Sequence, residues 1–236
     1  MICKKHSIQY VNAKEYCDLV ESSEIEHYRL GETIKIKDNG SKLVSLLEIG
    51  FDLVYEPSVL EGYRYLVREE LVEKISRISA KLEQDDKRLV IRSAWRSFAH
   101  QKLLWDTTVL LMQRRHPGAS VAKIHDIVSN YVVSEKTSTH STGGALDALI
   151  LNRKTNRILD FGTNEGYDIR LGRECYPYHP DVSELAQKNR ALLIGLFEAE
   201  DFVCDLKEYW HFDYGNIGWA IEKGKNQTLF GIIEEC

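Results

Sequence analysis

The chain has 236 residues, enough to bury a sizeable core as one large domain or two small ones. At 43% hydrophobic and 28% charged, with four prolines and no low-complexity run, its composition excludes a disordered or fibrous protein. A formal net charge of −5 leaves no general basic field, so neither nucleic acid nor an anionic membrane is an expected partner.

The N-terminus, MICKKHSIQYVNAKEY, carries two lysines but no apolar stretch of the roughly 7–15 residues that a secretory signal requires. No window approaches the roughly 20 apolar residues that span a bilayer. The five cysteines are scattered and never form a C-x-x-C pair, so they make neither a disulfide framework nor a zinc ribbon. A cytoplasmic protein with reduced thiols is the expectation. Residues 1–45 read as a polar, irregular extension packed on the domain, with a turn at Asp38-Asn39-Gly40; residues 46–236 read as the domain itself. From Glu69 to Gln84 the apolar positions Leu71, Val72, Ile75, Ile78 and Leu82 follow helical spacing and predict an amphipathic helix. After the polar turn Asp85-Asp86-Lys87, Leu89-Val90-Ile91 is a short buried strand. Ser97 offers an N-cap to a helix carrying Leu103, Leu104, Leu110 and Leu111, which stops at His116-Pro117-Gly118. Ser120 starts another, with Val121, Ile124, Ile127, Val128 and Tyr131 on one face. Asp181 and Glu184 have capping-box spacing ahead of a helix reaching about Glu200, with Leu185, Leu192, Leu193, Leu196 and Phe197. Residues 145–151 and 207–214 are strand-like. Strands and helices mix without regular βαβ alternation, so the expected class is α+β in a single domain.

Two segments carry candidate chemistry: Ser138-Thr-His140-Ser-Thr-Gly143-Gly144-Ala145-Leu-Asp147, and Glu208-Tyr-Trp-His211-Phe-Asp213-Tyr-Gly215. Zinc prefers imidazole with carboxylate or thiolate, and a catalytic site leaves one of four positions open for water. His140, Asp147 and His211 would supply such a set, and Glu208 could receive the proton of the activated water. Each piece alone is weak, since a His near an Asp is more often a satisfied surface or core residue, and Gly143-Gly144 is equally read as a turn. Geometry adds an objection. In a regular strand, residues three or seven apart face opposite ways, so both segments must bend or begin a strand partway along. The glycine pair makes this credible in the first segment; no glycine precedes His211 in the second. Trp95, Trp210 and Tyr214 read as core or pocket wall.

Taken together, S-x-H-x-x-G-x-A-x-D followed by E-x-x-H resembles the zinc D-alanyl-D-alanine peptidases. That group includes vancomycin-resistance-type D-Ala-D-Ala dipeptidases, muramoyl carboxypeptidases and L-alanyl-D-glutamate endolysins. Ser138, His140, Gly143, Ala145 and Asp147 meet the first motif, and Glu208 and His211 the second. The resemblance runs from about Leu43 to Gly231, is strongest over 88–215, and includes an Asn189-Arg190-x-Leu192-Leu193 helix.

It implies a hedgehog/DD-peptidase-like α+β fold with a small antiparallel sheet flanked by helices. It also implies one zinc ion per chain held by His140, Asp147 and His211, with Glu208 as general base and then acid. Arg96, in Trp95-Arg96 with Gln101 five residues on, would stabilise the oxyanion; Arg92 is the second choice. Phe161-Gly162-Thr163-Asn-Glu-Gly-Tyr167-Asp168 looks like a lengthened G-T-x-F-D segment, whose Asp168 would hold the substrate ammonium. Ser138 would either hydrogen-bond the substrate or order its own turn. Asp213, on the face of His211 in a strand, could hold an imidazole by accepting its second N–H. The implied reaction is hydrolysis of the D-Ala-D-Ala dipeptide to two D-alanines. The alternatives are a peptidoglycan D,D-carboxypeptidase or L-alanyl-D-glutamate endopeptidase, and a non-catalytic zinc-binding module.

Overall fold

Asp147 lies in the strand around which the rest is assembled. The computed structural model describes residues 12–129, 132–133, 137–163 and 172–235. In chain order the elements are α1 (Ala13–Gly31), β1 (Leu43–Ser45), β2 (Leu53–Tyr55), β3 (Leu66–Arg68), α2 (Glu70–Glu83), β4 (Lys87–Ser93), α3 (Phe98–Arg115) and α4 (Val121–Val128). They continue as β5 (Ala145–Asn152), β6 (Arg157–Ile158), α5 (Glu184–Glu198), β7 (Val203–Cys204), β8 (His211–Asp213) and α6 (Ile217–Glu222). The main sheet runs β2-β4-β5-β8-β7, with β6 also on β5; β1 and β3 form a separate antiparallel pair. Only β2 and β4 among these pairs are parallel. A parallel pair needs a crossover, and α2 lies in it; the rest of the sheet is antiparallel, as the resemblance implied.

β5 reads ALDALILN and is buried along all but its last residue, the pattern of a central strand covered on both faces. Leu89, Val90 and Ile91 of β4 and Leu146, Ala148 and Ile150 of β5 are fully buried in one core with Leu71, Ile75 and Ile78 of α2 and Leu193 and Phe197 of α5. Phe197 stacks on Phe212 of β8, ring centroids 3.9 Å apart, which anchors the short strand carrying His211.

Several elements differ from the sequence reading. Residues 13–31 are a helix, not irregular chain. Asn12 caps it, accepting from the Glu15 amide at 3.0 Å, and its buried stripe is narrow: Tyr16, Cys17, Val20 and Ser23. So polar a helix gives little periodic signal and is held by packing. Ser97 and Ser120 do cap α3 and α4. On α3, however, Leu103 and Leu110 are exposed, while His100, Gln101, Thr108 and Met112 face inward. Tyr131 lies outside the described residues. The α5 cap is Ser183, accepting from the Ala186 amide at 3.1 Å; Asp181 is not the cap. Of residues 207–214 only 211–213 form a strand.

Candidate metal centre

Sheet register creates the site. Asp147 pairs with His211 across β5 and β8, and with Ser93 across β5 and β4. Directly opposed residues on antiparallel strands share a face, so the imidazole of His211 meets the Asp147 carboxylate, Nδ1 to Oδ1 at 3.0 Å. His140 arrives differently. It sits in a short 3-10 turn, Thr139–Thr142, which Gly143 ends in the left-handed region at φ 73°, before β5 begins at Ala145. A side chain at Gly144 would collide with the carbonyl oxygen of Tyr214, so the chain can enter the sheet here only as glycine. The turn brings His140 Nε2 to 3.3 Å from the same Asp147 oxygen.

The bend in the second segment has another origin. Asp205 Oδ1 accepts from the amides of Lys207 and Glu208, at 2.7 and 3.0 Å, and the His211 amide donates to the Glu208 carbonyl at 3.1 Å. The strand starts only at His211, so Glu208 lies in a turn and is free of strand alternation. The signal in sequence was Asp205 itself, an Asx-turn residue three positions before Glu208.

His140, Asp147 and His211 are all buried and offer one ligand atom each within 4.8 Å of one another. Outer partners fix the two rings. His140 Nδ1 donates to the Ala94 carbonyl at 2.7 Å, leaving the Nε2 lone pair for the shared centre. His211 Nε2 lies 3.1 Å from Asp213 Oδ1 and 3.1 Å from Thr139 Oγ1, leaving Nδ1 for that centre. Asp213 is held in turn by Asn216 Nδ2 at 2.6 Å. Two imidazoles and a carboxylate around one point could hold a divalent metal ion, with outer hydrogen bonds of the kind that orient such ligands. Thr139, Asn216 and the Ala94 carbonyl are supports that sequence reasoning missed, since nothing in spacing marks them.

Electrostatics fit the same role. Burial, helped by the Arg96 charge, lowers His140 to about 4, so it is neutral and able to ligate at pH 7. Burial opposes the charged form of Asp147, but His140, His211 and Arg96 outweigh it and hold the carboxyl well below its ordinary value. His211 differs: burial opposes its charged form, yet Asp213 and Asp147 raise it well above the ordinary imidazole value, so without a metal the ring is protonated and a cation bound at Nδ1 would displace that proton. Burial and the nearby Asp205 carboxylate push Glu208 up to about 8. Perturbations of this size concentrated at one locus mark functional sites.

Arg96 Nη2 donates to Asp147 Oδ2 at 2.7 Å and Nε to Ser93 Oγ at 2.7 Å. Gln101 Oε1 lies 3.4 Å from Nη1. Arg92 is engaged elsewhere, with Glu56 at 2.8 Å. Ser138 is buried, and among the described residues its hydroxyl has no hydrogen-bond partner. Asp168 lies outside the described residues. A surface groove lined by Asn152, Arg157, Asp160 and Asn189 sits at the far end of β5 and includes none of these groups.

The sequence model of the D-ala-D-ala dipeptidase family of peptidases matches residues 54–229. The chain belongs to the D-Ala-D-Ala dipeptidase family of metallopeptidases. This family member is similar to the D-alanyl-D-alanine dipeptidase of Escherichia coli (strain K12), with 28% identity over 163 residues, covering 69% of this chain and 73% of that one. Among solved structures it is similar to the vancomycin-resistance D,D-pentapeptidase VanY of a VanB-type cassette in complex with Zn(II). The TM-score there is 0.46 at 15% identity, over 78% of this chain and 84% of that one. It is also similar to the LD-carboxypeptidase LdcB, with TM-score 0.44 and 15% identity over 80% and 76% of the two chains. Among the described residues of this peptidase no helix is long and apolar enough to cross a membrane.

Proposed function

We propose that the enzyme hydrolyses the D-alanyl-D-alanine dipeptide, with one zinc ion per chain held by His140, Asp147 and His211. The observation that carries this reading is the convergence of three buried ligand atoms within 4.8 Å beside a Glu208 raised to about 8. The similarity to a D-alanyl-D-alanine dipeptidase supports the substrate.

Bound by His140, Asp147 and His211, a zinc ion would supply Lewis acidity for activating water and polarising the scissile carbonyl. Glu208 takes the proton of the attacking water and returns it to the leaving amine, the two halves of general base and acid work. Arg96 keeps the Asp147 carboxylate turned toward the centre through its 2.7 Å bond and adds positive charge opposite the growing oxyanion. Donors in that position contribute about 10²–10³ in turnover. We assign the Ser138 hydroxyl, buried and without a hydrogen-bond partner among the described residues, to the substrate. Asp168 is assigned to the substrate ammonium, which makes the free dipeptide the preferred length. Cys17, Cys175 and Cys204 are buried free thiols, which supports a reducing, cytoplasmic setting.

The test is a side-by-side panel of D-Ala-D-Ala, L-Ala-L-Ala and a muramoyl pentapeptide on the zinc-loaded protein. Rapid cleavage of the D,D-dipeptide alone is the expected result. Cleavage of only the longer fragment would make the protein a carboxypeptidase or endopeptidase, and cleavage of none a binding module.

A further inference from the structure

We infer that the N-terminal helix α1, outside the span matched by the family, is the positioning element for the turn that presents Glu208. This rests on the reading of Glu208 as the proton carrier. Among the described residues no side chain hydrogen-bonds the Glu208 carboxylate, so its place is set by the backbone of the 205–208 turn. The two residues in the middle of that turn both engage α1. Leu206 packs against the buried cluster of Tyr16, Cys17, Val20 and Tyr176. Lys207 Nζ pairs with the Glu24 carboxylate, both side chains about a third exposed (32% and 33%). Tyr16, Val20 and Glu24 recur every four residues and so form one stripe along the helix.

A second grip acts on the other side of the turn. Glu21, also on α1, accepts from Arg173 at 2.9 Å and from the Tyr176 hydroxyl at 3.3 Å. The Tyr16 hydroxyl accepts from the Tyr178 amide at 2.9 Å. That segment is tied directly to the site, because the Cys175 carbonyl accepts from the amide of Tyr209, the residue after Glu208, at 3.2 Å. Helix α1 therefore holds both the turn and the strip of chain beside it. Position matters for a general base: a displacement of about 1 Å can cost up to about 10²-fold in rate.

The experiment uses the full chain with Glu24→Lys, Lys207→Glu and the charge-swapped pair, each assayed zinc-loaded on D-Ala-D-Ala. Amide hydrogen exchange of Glu208 and Tyr209 is measured in parallel on the metal-free protein. Each single variant places like charges together across an exposed contact; it should lower kcat about threefold to tenfold and raise exchange by a similar factor. KM and zinc content should stay unchanged, and the swapped pair should recover both readouts. Unchanged kcat and exchange in both single variants, or losses that the swapped pair does not recover, would overturn the inference. A Glu208→Gln control separates the two readings. If it turns over normally, the role of Glu208 fails, and exchange alone decides whether α1 holds the turn.

Discussion

Asp213→Asn removes one negative charge beside His211 while keeping the side chain's size, which isolates the value of holding a proton in place on Nε2. Asp213 is 5% exposed, lies 3.1 Å from His211 Nε2, and receives Asn216 Nδ2 at 2.6 Å. Its carboxylate does two things: it keeps the proton on Nε2, so that Nδ1 presents a lone pair, and it makes the ring more basic. The amide can still accept a bond but carries no charge, and its NH2 must face either His211 or the Asn216 donor. Outer-shell bonds of this kind are worth about 10–100-fold in metal affinity, or about 1.4–2.8 kcal/mol. Since both ends are buried, the upper half of that range is expected, with a smaller, few-fold effect for Asn216→Ala, which only loosens Asp213. Competition with a chromophoric zinc chelator at pH 7.5 measures both. A change below about threefold in Asp213→Asn, with the fold intact by circular dichroism, would refute the outer-shell role.

Glu208→Gln keeps the shape of the side chain and removes proton transfer, so kcat should fall by about 10²–10⁴ while zinc content stays at wild-type level. Acid sensitivity has a source in His100, which burial, with the Arg96 and His140 charges, lowers from 6.5 to about 4. The unfolded chain then takes up a proton that the native protein refuses, so stability present above pH 6.5 is lost as pH falls toward 4. Over the 1.5 units from pH 6.5 to 5 this amounts to about 2 kcal/mol. Urea titrations of the metal-free protein at pH 7 and 5 should show that much less loss in His100→Phe, which keeps the ring contact with Tyr63; equal losses would count against it. Gly144→Ala would drive a methyl into the Tyr214 carbonyl and to 2.8 Å from Phe230, so a cost of about 3 kcal/mol and a clearly lowered Tm are expected in a thermal melt.

Much of this was legible in the letters, for identifiable reasons. Helix α2 declares itself because its apolar residues recur with helical spacing, strand β4 because a short apolar run follows a polar turn, and Ser97 and Ser120 cap as their side chains dictate. Helix α1 was missed because most of its surface is polar and only four residues are buried. On α3 the leucines misled, because the inner face next to Arg96 is polar and is occupied by His100 and Gln101. The site residues were named from motifs and the family resemblance they carry, since spacing alone was weak. What spacing could not supply was register, the opposition of Asp147 to both His211 and Ser93, and the Asp205 turn that frees Glu208, three residues before His211, from strand alternation.

Zinc stoichiometry, with X-ray absorption at the zinc edge, tests the metal centre most directly when wild type is compared with His140→Ala, Asp147→Ala and His211→Ala. The expected result is one ion per wild-type chain with two imidazole ligands, and at least a hundredfold weaker binding, on the order of 3 kcal/mol, in each variant. A wild-type spectrum without two imidazoles, or zinc bound equally tightly after any one of the three replacements, would contradict it.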